Sequence, residues 1–212
     1  MIHKIILGTY TRRISQGIYQ IELDTATDTL NNLQLVTEET SPTYFAKSKE
    51  GFLYSVTSRD GHGGMSSYDP QNKFLNAVTE EGASPCYVAV DEARQLVYGA
   101  NYHKGELNTY KILPDGSLEA AAALFHKEPT GPHKNQDHAH THYTDLAPDQ
   151  RLVVCDLGTD RVYTYDVSEA GEVEEVAVYV AEPGTGPRHL VFHPNKTVSY
   201  THLRAHETRR HL

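Results

Sequence analysis

Ser84-Pro85-Cys86-Tyr87-Val88-Ala89-Val90 runs on, through a short polar turn, into Gln95-Leu96-Val97-Tyr98-Gly99-Ala100-Asn101. Two short stretches rich in Val and Tyr, separated by turn residues, read as paired β-strands. Upstream, Ser41-Pro42-Thr43-Tyr44-Phe45-Ala46 opens in the same way and leads to Gly51-Phe52-Leu53-Tyr54-Ser55-Val56, with the two Ser-Pro-x-Tyr openings 43 residues apart. Two further strand-like stretches complete each round: Gly64–Tyr68 and Phe74–Val78 in the first case, Gly105–Ile112 and Ser117–Leu124 in the second. A third round starts at His142 and continues through Arg151–Asp156, Arg161–Asp166 and Glu172–Val180. A fourth opens at Gly186-Pro187, 45 residues after Thr141. The longer interval before the third round is taken up by a Gly/Pro/His/Asn-rich insertion, Pro129–Asp137.

Four short strands recurring every 40–45 residues are the pattern of propeller blades, each of which buries its faces only by stacking on its neighbours. The fixed four-strand round sets it apart from a β-sandwich or a solenoid. The predicted fold is all-β, a partial β-propeller of about three and a half to four blades. Ahead of the first Ser-Pro-x-Tyr, Lys4–Thr9, Gly17–Leu23 and Asn32–Thr37 form an incomplete round without an opening strand. Residues 1–197 carry this pattern. After Thr197 strand alternation is not evident, and Ser199–Leu212 holds three Arg and three further His in fourteen residues. Residues 198–212 are therefore expected to be a non-native, read-through tail.

Composition narrows the function. The 212 residues carry a net charge of −9, which argues against binding to nucleic acid. A local group of Arg and His can still attract a small anion, because distant acidic charges are screened. Cys86 and Cys155 each lie in an apolar strand-like run and read as reduced core residues. The apolar start, Ile5-Ile6-Leu7, is too short for a secretory signal, and no run is long enough to span a membrane, so a cytoplasmic location is expected.

The concentration of polar chemistry falls at His138-Ala139-His140-Thr141-His142 and, one round later, at Gly186-Pro187-Arg188-His189. In an extended strand, alternate residues share a face, so the three imidazoles are predicted to align. The two segments read as neighbouring walls of one polar site. Asp156 and Asp160 are expected to satisfy turn amides, Tyr44 and Tyr87 to pack, and His103 and His133 to be solvated loop residues.

Leu7-Gly8-Thr9-Tyr10-Thr11, Gly17-Ile18-Tyr19, Ser84-Pro85-Cys86-Tyr87-Val88, the His138–His142 segment, Asp156-Leu157-Gly158-Thr159-Asp160-Arg161-Val162-Tyr163 and Gly186-Pro187-Arg188-His189 together resemble the lactonase-type seven-bladed β-propeller family. Its members include 6-phosphogluconolactonases, with carboxymuconate-lactonising enzymes as relatives. The resemblance covers residues 1 to about 197 and implies that the chain supplies the first four or so of seven blades. It also places the two polar segments on adjacent blades at the mouth of the central cavity. The implied activity is hydrolysis of a phosphorylated sugar lactone, with a monomeric full-length enzyme and no nucleic-acid or membrane partner. Alternatives are a carboxymuconate-type lactonising cycloisomerase or a non-catalytic ligand-binding propeller.

Lactone opening requires a base to activate water and positive groups to hold negative charge. The catalytic candidates are thus His140 and His142 as base or oxyanion donor, Arg188 as the clamp on the anionic group and His189 as its assistant. His138 and Arg188 are the candidate substrate-binding residues. A zinc site on His138, His140 and His142 is conceivable on alternate strand positions. No Cys or His-Glu-x-x-His accompanies it, and the family resemblance requires no metal. Neither a metal nor a cofactor is expected.

Overall fold

A strand that is buried on both faces is largely apolar, a condition that Leu96–Ala100 and Leu152–Cys155 meet. The second and third stretches elsewhere also bury polar residues: Ser55, Thr57, Ser66, Ser67, Glu106, Asn108 and Thr109. The computed structural model describes residues 1–195 and 199–203, and its regular structure is entirely β. Strands β1 (Ile2–Leu7), β2 (Gly17–Asp24) and β3 (Thr29–Glu38) form a three-stranded sheet. Three four-stranded sheets follow: β4 (Phe45–Lys47) to β7 (Phe74–Glu81) through β5 (Leu53–Arg59) and β6 (His62–Tyr68); β8 (Tyr87–Asp91) to β11 (Leu118–Phe125) through β9 (Leu96–Asn101) and β10 (Glu106–Ile112); and β12 (Thr141–Leu146) to β15 (Val173–Val180) through β13 (Leu152–Asp156) and β14 (Arg161–Val167). Strands β16 (Pro187–Phe192) and β17 (Ser199–Leu203) pair in a last sheet. Every pairing is between consecutive strands and antiparallel, the meander expected of a blade.

The sheets stack face to face. One apolar cluster, with Ile18, Leu53 and Tyr68, lies between the first and second sheets, and a second, with Tyr54, Met65, Val97 and Tyr110, between the second and third. The largest, with Leu96, Tyr98, Leu107, Leu152, Val154 and Tyr163, joins the third and fourth. All residues of β9 and β13 are buried, whereas half of the outermost strand β11 and most of β15 are exposed. Each fully buried Leu, Ile or Val is worth about 1.5–3 kcal/mol, so the stacking of blades contributes substantially to stability. The short strands β4, β8, β12 and β16 lie side by side, β8 touching both β4 and β12, and β12 touching β16. They are the inner strands, and their first residues meet at one end of the assembly.

Two expectations change. Ser199–Leu203, placed by its sequence in a tail without strand pattern, pairs with β16 as β17; residues 196–198 and 204–212 of that tail lie outside the described residues. The aligned ladder of His138, His140 and His142 does not form, because β12 begins only at Thr141. Asp156 draws the backbone of the preceding residue, His140, into the β13–β14 turn instead, so the extended backbone that the alternation presupposes is missing. No helix among the described residues is long and apolar enough to cross a membrane.

Candidate functional site

The inner strands start irregularly where the polar residues lie. In β12, Thr141 pairs with Asp156 and Tyr143 with Cys155, which leaves His142 without a partner across the ladder. In β16, Pro187 pairs with Leu203 and His189 with His202, so the register shifts by one residue at Arg188. A bulge adds one residue to one strand and redirects a side chain that regular pairing would send to a blade face. His142 and Arg188 are therefore equivalent bulge residues on adjacent blades. Thr43 and Cys86 hold the corresponding places ahead of β4 and β8.

All four of these residues line one cavity of about 680 Å³. The residue that follows each of them packs behind the cavity wall. Tyr44, Tyr87 and Tyr143 pack in a tilted series, with ring centroids 4.3 and 4.8 Å apart, and His189 continues it edge-on, 5.9 Å from Tyr143. Tyr44 and Tyr87 are packing residues, as expected. His189 takes the fourth place in this aromatic ladder, edge-on to His142 at 4.8 Å, and supports that ring.

The cavity wall is cationic. Arg12, Lys134 and Arg188 line it, together with His103 and His142, and no Asp or Glu is among its described lining residues. Arg12 lies over the ring of Tyr10, 4.8 Å from its centroid, which fixes an otherwise flexible side chain at the rim. Burial, reinforced by the charges of Arg188 and His189, pulls the His142 pKa down to about 3. Its imidazole is thus neutral at neutral pH, and its Nδ1 is buried without a hydrogen-bond partner. Burial pushes the Cys86 thiol up to about 11, so this cysteine, although on the wall, is not a nucleophile.

His140 and His138 are placed differently. His140 is buried, stacks on Tyr102 at 4.1 Å, donates from Nδ1 to the Tyr102 carbonyl at 2.8 Å and meets Asp137 Oδ1 through Nε2 at 2.9 Å. Both of its nitrogens are occupied and it does not line the cavity. His138 is half-exposed, 3.0 Å from both Asp137 Oδ1 and the carbonyl of His103, and is likewise absent from the wall. Of the predicted residues, the structure brings His142, Arg188 and His189 together and sets His138 and His140 behind Tyr102 and His103. His103, expected to be merely solvated, stands on the wall. Arg12 and Lys134 carry no local motif, and their loops reach the cavity only through the fold.

The Asp156-Leu157-Gly158-Thr159-Asp160 turn holds this arrangement. Asp156 Oδ1 accepts from the amides of Gly158 and Thr159 within the turn and, at 2.8 Å, from the amide of His140. Its Oδ2 lies 2.7 Å from His126 Nδ1, a buried histidine that also reaches Tyr165. Asp160 accepts from the amides of Gly184 and of Gly186, which lies two residues before Arg188, and from Gln136. A Cβ on Gly158 would come within 1.9 Å of the His138 carbonyl, so only glycine lets the histidine segment pass this closely. One turn of β13–β14 thereby clamps the backbone of both polar segments.

The comparisons with known proteins agree with this fold. A family model described as lactonase, 7-bladed beta-propeller, matches residues 4–204. An uncharacterized protein of Lactococcus lactis is 46% identical over 203 residues, 94% of this chain and 59% of that one. The 6-phosphogluconolactonase of Bacillus subtilis is 39% identical over 201 residues, covering 92% of this chain and 57% of that enzyme. The crystal structure of a protein from Lactobacillus plantarum superposes with a TM-score of 0.91 at 48% identity, over 95% of this chain and 60% of that one. The chain thus spans less than two thirds of the length of the curated relatives it matches.

Proposed function

The chain belongs to the lactonase seven-bladed β-propeller family, and from that membership we propose that its protein hydrolyses the lactone of a phosphorylated sugar, 6-phosphogluconolactone foremost. The observation that carries this reading is the cavity's charge. Three cationic side chains and no described carboxylate line it, on a chain whose net charge is −9. Such a cavity selects an anion against the field of the whole molecule. The Bacillus subtilis relative's name supports the choice of sugar.

Arg188, Arg12 and Lys134 hold the phosphate and the developing negative charge, the guanidinium fork of Arg188 being suited to bidentate contact. His142 acts as the base through Nε2, the nitrogen opposite its buried Nδ1, once the substrate's phosphate offsets the positive charge of Arg188, which adds to burial in lowering its basicity. It takes a proton from water as the water oxygen bonds to the lactone carbonyl. Collapse of the tetrahedral adduct breaks the ring ester bond, the proton passes to the departing ring oxygen, and a carboxylate is released. His189 keeps the His142 ring in place.

The test is hydrolysis of 6-phosphogluconolactone and of unphosphorylated gluconolactone by the chain extended to the length of its relatives. A preference for the phosphorylated lactone, lost on Arg12→Ala and Arg188→Ala, supports the reading. Equal rates on both lactones remove the phosphate assignment. Binding without turnover leaves a non-catalytic propeller, and turnover of a carboxymuconate leaves a cycloisomerase.

A further inference from the structure

Behind the cavity wall, Asp137, His138 and His140 form a second cluster that the lactonase reading does not use. His140 Nδ1 lies 2.8 Å from the carbonyl oxygen of Tyr102, and His138 Nε2 lies 3.0 Å from that of His103. A carbonyl has no proton to give, so both of these nitrogens donate. In the neutral imidazoles the opposite nitrogens, His140 Nε2 and His138 Nδ1, then carry lone pairs. Both point at the same atom, Asp137 Oδ1, at 2.9 and 3.0 Å. All the candidate donor atoms lie within 4.8 Å of one another. Two lone pairs and a carboxylate oxygen converging on one point repel unless a cation stands between them.

The surroundings fix this arrangement as they do in metal centres. A backbone carbonyl that holds the far nitrogen sets the tautomer and the ring orientation of a ligating histidine. Here both histidines have one, supplied by consecutive residues of a single turn. Tyr102 also stacks on His140 at 4.1 Å and keeps that ring from rotating. Around a zinc ion, ligand atoms are separated by about 3.3 Å, so the two exposed residues, Asp137 and His138, need to shift only by about an ångström.

We propose that Asp137, His138 and His140 bind a divalent transition ion of the zinc class. Two imidazoles and one carboxylate favour Zn²⁺ or Co²⁺ over Ca²⁺ or Mg²⁺, which take oxygen ligands. Asp137 and His138 are open to solvent, so water completes the coordination shell. The ion sits behind the turn of Tyr102 and His103, both of which line the cavity, and so stiffens that part of the wall. This set differs from the ladder of His138, His140 and His142: the bulge turns His142 to the cavity, and Asp137 takes its place.

The experiment uses the untagged full chain, stripped with chelator and titrated with Co²⁺, whose visible absorption reports coordination, then with Zn²⁺ to displace it. The expected result is one equivalent bound, a spectrum of nitrogen and oxygen ligands, displacement by Zn²⁺ and no response to Mg²⁺. Asp137→Asn and His138→Ala, both at exposed positions, should each weaken binding at least about tenfold. A double variant, His206→Ala with His211→Ala, removes adventitious tail ligands and should bind as the parent does. No stoichiometric Co²⁺ spectrum, undiminished affinity in both cluster variants, or loss of binding in the tail variant would each overturn the assignment. The first of these outcomes would mean that protons, not a metal, bridge the three groups.

Discussion

Glu39, a buried side chain, and His142, a part-buried one with a buried Nδ1, lie on opposite sides of the second and third sheets, and the fold treats them in opposite ways. Glu39 lies between the first two sheets, where Oε1 accepts from Thr57 Oγ1 and the Thr40 amide and Oε2 from Ser66, Tyr68 and Arg59. Burial alone would raise its pKa, but the hydroxyls of Ser66, Tyr68 and Thr57 and the Thr40 amide more than offset that, and it stays below the usual glutamate value. His142 has no such partners at Nδ1, and nearby positive charge adds to the effect of burial. A fully satisfied charge serves the structure. A buried polar atom left without a partner weakens the fold and is retained where a ligand makes use of it.

The same substitution should therefore act with opposite sign at the two places. Glu39→Leu leaves three hydroxyls and an amide without their acceptor and is expected to cost about 3–5 kcal/mol of stability in chemical denaturation. His142→Leu removes no hydrogen bond at Nδ1 and should leave the midpoint unchanged or slightly higher, while hydrolysis by the extended chain falls at least about a hundredfold. Equal destabilisation by both would break the comparison. Arg12→Ala sharpens the functional side: KM for a phosphorylated lactone should rise about tenfold with little change in stability, since Arg12 is exposed at the rim.

A pH series supplies the finest test. Because Glu39 titrates lower folded than unfolded, its stabilisation is complete above the unfolded value near 4.5 and is lost as pH falls through the folded one. Glu39→Gln should show a shallower loss below pH 4.5 than the parent, and an unchanged slope would mean that another carboxylate dominates.

Much of this site was legible before any coordinates. The repeated Ser-Pro-x-Tyr opening marks Thr43 and Cys86 as equivalent, and the Gly-Pro-Arg-His echo places Arg188 one blade on from His142. Other parts had no local signal. Glu39 is one acidic residue in Glu38-Glu39-Thr40, and its side-chain partners lie 18 to 29 residues away on other strands. Arg12 and Lys134 sit in polar loops whose composition suggests only solvent. The aligned histidine ladder failed because period-two alternation holds only inside a strand, and β12 starts only after His140, whose amide Asp156 captures.

What the sequence determined is the repeat: strand lengths, turn residues and the burial of whole strands follow from side-chain preferences acting over a few neighbours. The tertiary structure alone decided which polar side chains face the cavity. That choice depends on a one-residue slip in pairing at His142 and Arg188, and a slip is a property of two strands together, fixed by the packing of their partners and not by either segment's own residues.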